Sequence, residues 1–309
     1  MSDLHNHAWT HDHVYLGAGH DRADARTRLV VYLTAAFMIV ETAAGLIFGS
    51  MALLADGVHM ATHVGALGLA AWAYWMARRH ARNRQFSFGS GKFGDLAGFA
   101  SALVLGIISL AIAADSAMRF FAPVAIHYAE AMIVGSVGLL VNIISAVVLA
   151  EDKQDADDPA HHHDYNLRAA YVHVLADTAT SLMALFALAA GLFFGWRILD
   201  PIVGILGAVV IARWSIQLMQ QSGRVLLDVE DDPSLAKDIR NTLEKDIGAR
   251  ISDLHLWRLG PGHRGLIVSV ISPVPRSADE IKNEIRRRYS GLSHVTVEIS
   301  VCSGCTPPD

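Results

Sequence analysis

Apolar runs of about 20 residues or more recur through the first two-thirds of this 309-residue chain, and no other feature limits its fold so sharply. At 1.5 Å per residue, roughly 20 residues of helix cross the hydrocarbon core of a bilayer. The candidate spans fall at 29–48, 52–77, 94–119, 128–150, 167–192 and 198–221. Backbone at membrane depth must close its own hydrogen bonds, and stretches this long in Ala, Leu, Gly and Val do so as helices rather than barrel strands. Charged residues make up only 18% of the chain, against roughly a quarter in soluble proteins. The expected fold class is therefore membrane α-helical, a six-helix transmembrane bundle over 29–221 followed by a soluble domain over 222–309.

The loops orient the spans. Gly49-Ser50 leaves room only for a tight hairpin between the first two. Arg22, Arg26 and Arg28 precede the first span, and Arg78, Arg79, Arg82, Arg84 and Lys92 follow the second. The hairpin tip has no basic residue, and the loop after the third span has only Arg119 at its edge. By the positive-inside rule both termini are cytoplasmic, as expected of a multi-pass protein of the inner (cytoplasmic) membrane. The first 28 residues are polar and rich in histidine, so they do not read as a cleavable signal peptide. Two cysteines, Cys302 and Cys305, are too few for a secreted disulfide framework. A net charge of −5 offers no basic footprint for nucleic acid.

Beyond about residue 222 the pattern turns soluble. Pro233 marks the start of a helix over SLAKDIRNTLEKDI. RISDLHLWRL and GLIVSVIS alternate like strands on either side of a Gly-Pro-Gly turn. SADEIKNEIRRRYS reads as an amphipathic helix, and HVTVEISV alternates again. Helix, strand, strand, helix, strand implies a cytoplasmic α+β domain, ferredoxin-like, with its helices on one face of the sheet.

Within the spans, ionisable groups are costly and mark function. His59 and His63 lie one turn apart on the second span, and His173 and Asp177 repeat that spacing on the fifth. Residues at i and i+4 share a helix face, so the two pairs together suggest one site between two helices. A lone histidine in a span commonly packs helices; two pairs at ligand spacing ask for more. Three imidazoles and a carboxylate can close a tetrahedral shell around a divalent transition metal, and they suit magnesium or calcium badly. Imidazole binds metal only when neutral, so loading such a site releases protons. A site of this kind, opened to each side in turn, is the minimum machinery of a proton-coupled exporter. Glu41 and Asn142 lie deep enough to face the bundle, whereas Asp95 and Asp115 lie near span ends where they can meet water.

The motifs GSMALLADGVHMATH, FSFGSGK and HVLAD resemble those of the cation diffusion facilitator family, over roughly residues 15–302. With HDHVYLG near the start, the likeness is to its DmeF-like cobalt and nickel efflux branch. The resemblance implies a homodimer that exchanges metal for protons, with His59, His63, His173 and Asp177 as the transport ligands of each protomer. It implies that Asp56 stands outside that shell, where it either orients His59 or packs the helix. It places Lys92 and Asp228 where relatives interlock charges near the dimer interface at the membrane surface. It implies no catalytic residue and no prosthetic group; the divalent metal is the substrate, with cobalt or nickel favoured and zinc or cadmium also admitted. Two histidines on the second span, where many relatives have an aspartate, make the site richer in nitrogen. Phe86 and Ser90 stand where some relatives have histidines of an additional loop site, so that site is expected to be missing.

Further polar groups remain open between two readings. His255 matches a metal ligand of the terminal domain in some relatives, with Glu298 and Ser300 near it in pattern; it is otherwise a strand histidine. Cys302 and Cys305 have chelating or redox spacing. His5, His7, His11, His13, His161, His162 and His163 either gather metal near the entrance or belong to solvated segments. Two other classes compete with transport. In a membrane haem protein, the second pair of ligands would be surplus, and a Soret band would reveal it. In a membrane-anchored metal sensor acting through the terminal domain, four ligands at mid-membrane would have no purpose.

Overall fold

The computed structural model describes residues 25–81, 83–151, 164–230, 232–248 and 250–302. Long helices occupy the apolar stretches: α1 Ala25–Phe48, α2 Met51–His80, α3 Phe93–Met118, α4 Tyr128–Glu151, α5 Asp164–Phe194 and α6 Leu199–Leu226. Among the described residues, α3 and α6 are long and apolar enough to cross a membrane, and shorter apolar helical stretches lie at Tyr32–Phe48, Met51–Ala61, Tyr128–Ile144 and Thr178–Phe194. They are followed by α7 Pro233–Ile247, β1 Arg250–Gly260, β2 His263–Ser272, α8 Ala278–Arg288 and β3 Leu292–Val301.

The described residues form two compact units. One draws on the described residues of 25–69 and 100–219, the other on those of 70–99 and 220–302. In the first, α1 packs on α4 and α4 on α5, and small residues set the approach of the helices, as is usual within membranes. A Cβ on Gly45 would come within 2.6 Å of the Leu54 backbone, and one on Gly57 within 2.8 Å of that of Thr42. These contacts clamp α1 onto α2. Gly49, at φ +72°, takes the left-handed conformation that ends α1 and turns the chain into α2.

In the second unit, β2 is the central strand, antiparallel to β1 and parallel to β3. Alternation puts Leu266, Val268 and Val270 on the core face, with α7 supplying Ile239 and Leu243 and α8 supplying Ile281 and Ile285. Asp232 caps α7 by accepting from the Leu235 N–H at 3.0 Å, and Ser277 caps α8. Burial of these apolar side chains stabilises the unit by roughly 1.5–3 kcal/mol each. The segment between α2 and α3 belongs to this unit too. Phe88 meets the rings of Trp257 and His294 edge-on, at centroid distances of 5.5 and 5.6 Å. Gly91 lies so close to the sheet that a Cβ would sit 2.4 Å from the Leu259 carbonyl oxygen. Only glycine fits there.

Candidate metal centre

α2 carries Asp56 and His59 one turn apart, and they are 4% and 3% exposed. Helical spacing brings both to one face. There they line a small cavity of about 20 Å³ with Thr180 and Met183 of α5 and Val203, Gly207 and Val210 of α6. The His59 ring lies against the indole of Trp214 on α6, with centroids 5.3 Å apart and planes tilted by 57°. A buried imidazole in a cavity walled by three helices offers a nitrogen donor to a borderline metal, and the Asp56 carboxylate one turn earlier can orient it. His63 lies one turn farther along α2, and His173 and Asp177 lie on α5; the side chains of these three fall outside the described residues. Among the described residues no three His, Cys, Asp or Glu side chains cluster closely enough to hold a metal.

Glu41 and Asn142 face the bundle interior. Asn142 donates to the Ser181 hydroxyl at 3.2 Å, tying α4 to α5. Glu41 is 0% exposed, and neither carboxyl oxygen has a hydrogen-bond partner among the described residues. Asp115, expected to meet water, is half exposed and accepts from Arg119 at 3.1 Å.

In the second unit, the Lys92 ammonium donates to the Asp228 carboxylate. Asp228 sits at φ +54°, a left-handed conformation that aspartate tolerates better than most residues. Ser90 donates to the Ala77 carbonyl at 2.7 Å, and Phe86 packs on His80 and Phe93. His255 is largely exposed on β1 and shares a hydrogen bond with Asp253 at 2.8 Å. Glu298 on β3 accepts from Ser269 of β2 at 2.9 Å. β2 therefore stands between His255 and Glu298, which lie two strand spacings across the sheet and two residues along it, about 12 Å apart. Cys302 is disulfide-bonded, and Cys305 lies outside the described residues, as do His5, His7, His11, His13 and His161, His162 and His163.

Two features around His59 were not singled out in the sequence: Trp214 against its ring, and the α6 wall of the cavity at Gly207. The small-residue spacing Gly204–Gly207 is the signal that marks α6 as a close-packing helix.

The family profile described as the cation efflux transmembrane domain matches residues 27–227. The zinc transporter ZitB of Yersinia pestis is 32% identical, over 94% of this chain and 91% of its own. The cadmium, cobalt and zinc/H(+)-K(+) antiporter of Bacillus subtilis (strain 168) is 27% identical, over 91% of each chain. The metal cation efflux system protein CzcD of Cupriavidus metallidurans is 28% identical, over 93% of this chain and 91% of its own.

Proposed function

The chain belongs to the cation diffusion facilitator family of membrane efflux transporters, and on that premise we propose that it exports divalent transition-metal cations from the cytoplasm in exchange for protons. The observation that carries this reading is His59, a buried imidazole lining a cavity between α2, α5 and α6. Thr180 and Met183 line that cavity from α5, and Asp177 and His173 precede Thr180 by three and seven residues, the spacing of one helical face. His63 follows His59 by the same rule. The four residues would wrap the cation in three nitrogens and one oxygen, and Asp56 would orient His59 from outside that shell.

The chemistry follows from the ligands. Each imidazole must be neutral to bind, so metal entry from the cytoplasm displaces protons and acid on the far side displaces metal. The relative whose name pairs H(+) with K(+) supports counter-ion exchange of this kind. Zinc, cadmium and cobalt in relatives' names bracket the substrate, and the nitrogen-rich pair on α2 keeps cobalt and nickel in front, as in the DmeF-like branch. The long helices α1–α6 would form the six-span domain over 29–221, in the inner membrane with both termini cytoplasmic. The terminal domain over 222–309, ferredoxin-like, would join a homodimer near the Lys92–Asp228 pair. His255 would add a terminal metal site only with ligands beyond the described residues, and Cys302 would join it only once its disulfide is reduced to the thiolate. The histidines of 1–28 and 151–166 would collect metal at the entrance. A sensor is disfavoured, because the relatives are transporters.

The test is flux into proteoliposomes under an imposed pH gradient, with cobalt, nickel, zinc and cadmium compared. Gradient-driven flux that Asp177→Ala abolishes is expected. Flux of no ion by well-folded protein would overturn the proposal.

A further inference from the structure

The helix that carries His59 begins in a buried polar network that metal transport does not by itself require. Asp200, at the start of α6, and Ser50, just before α2, are both 0% exposed. Asp200 Oδ1 accepts from the Ser50 hydroxyl at 2.6 Å and the Ala52 N–H at 3.2 Å, and its Oδ2 accepts from the Met51 N–H at 2.9 Å. Ser50 Oγ accepts from the Leu53 N–H at 3.1 Å. Arg119, just beyond α3, holds its guanidinium 3.8 Å from Asp200 Oδ2, bonds the Gly49 carbonyl and reaches Asp115.

The first N–H groups of any helix need acceptors, and a serine before the helix commonly supplies one. A carboxylate from a helix 150 residues away goes further than closing α2, and burying it is costly unless each lone pair is engaged. What it adds is register, since both of its oxygens are bonded to successive residues of α2. The fixed start runs on into close packing. A Cβ on Gly204 would come within 2.7 Å of Met51 Cβ, and one on Gly207 within 2.8 Å of Ala55 Cβ. One turn past Ala55, the His59 ring rests on Trp214 of the same α6. From cap to imidazole, α2 is referenced to α6.

We propose that Asp200 is a positioning residue for the metal: by capping α2 from α6, it sets the axial level at which His59 enters the cavity. This rests on His59 being a ligand.

The test is Co²⁺ and Zn²⁺ binding by titration calorimetry to the full-length protein in nanodiscs, with KM and maximal flux measured in proteoliposomes. Asp200→Glu keeps the charge facing Arg119 and the acceptor oxygens but lengthens the arm by one methylene, which displaces the start of α2. It is expected to weaken metal binding about tenfold, as loss of a ligand-orienting partner does, and to raise KM more than it lowers maximal flux. Ser50→Ala removes part of the cap but leaves the bonds from Met51 and Ala52 to Asp200, so its affinity stays that of the wild type. Wild-type affinity in Asp200→Glu, or equal weakening in Ser50→Ala, would overturn the positioning role. If Asp200→Glu does not fold, the isosteric Asp200→Asn decides the matter: it sets an amide donor against one of the α2 N–H groups, and wild-type affinity in it would overturn the proposal. The control is His59→Ala. Undiminished binding in that variant, or no saturable binding by the wild type, would overturn the metal-site reading and this proposal with it.

Discussion

Glu41 is the side chain whose surroundings suit it least. It is 0% exposed with neither oxygen hydrogen-bonded among the described residues, wedged where Gly138 lets α4 approach α1. Burying a polar group without a partner costs roughly 1–3 kcal/mol in protein mutational data. Glu41→Met, similar in volume and apolar, is therefore expected to stabilise the protein by about that amount, read as a raised thermal unfolding midpoint in detergent. A lowered midpoint would mean that Glu41 contributes stability after all. His63→Asp should shift relative transport rates toward zinc and harder ions, because a carboxylate oxygen replaces an imidazole nitrogen; unchanged ratios would count against His63 as a ligand. At the surface, the Ser234 hydroxyl and then the Leu235 N–H hold the Asp232 carboxyl below its ordinary range. A depressed carboxyl contributes stability that is present above its unfolded pKa, about 3.9, and lost as pH falls through the folded value. Asp232→Asn should accordingly flatten the acid limb of unfolding below about pH 4, followed by far-UV circular dichroism.

Helix contacts, by contrast, depend on what is absent. Gly45→Ala places a methyl 2.6 Å from Leu54 N and 2.9 Å from Leu54 Cβ, so α1 must move away from α2. Overpacking of this kind costs roughly 1–3 kcal/mol, and a matching fall in the unfolding midpoint is expected. The elements themselves were legible in the sequence because length and composition suffice to mark them: an apolar run of 20-odd residues in Ala and Leu has one way to satisfy its backbone. Alternation on either side of Gly-Pro-Gly likewise marked β1 and β2. Strand order was not legible, since alternation says which face is buried but not which neighbour pairs; β3 lies parallel to β2 only in the fold. His59 stood out because an imidazole deep in a span is expensive. Asp200 did not, because an acid at the first residues of a span reads as one that meets water. Its buried contacts with Ser50, Met51 and Ala52 join positions about 150 residues apart. Arg119 read as a loop-edge charge for the same reason.

At the scale of the molecule, the segment after the helix bearing His59 is built into the terminal sheet. Phe88 meets Trp257 and His294 edge-on, Gly91 abuts Leu259, and Lys92 pairs with Asp228. Aromatic pairs of this type contribute about 0.5–1.5 kcal/mol each, so Phe88→Ala should release the segment, seen as faster amide exchange over 86–92 with α7 and α8 unaffected. In the other unit, His59 is to hold metal in the cavity between α2, α5 and α6. X-ray absorption at the cobalt or zinc edge of the loaded full-length protein tests it most directly. A first shell of nitrogen and oxygen only is expected, at about 2.0–2.2 Å, with an imidazole contribution that falls in His59→Ala. Sulfur in the shell, or an imidazole signal that His59→Ala leaves unchanged, would contradict it.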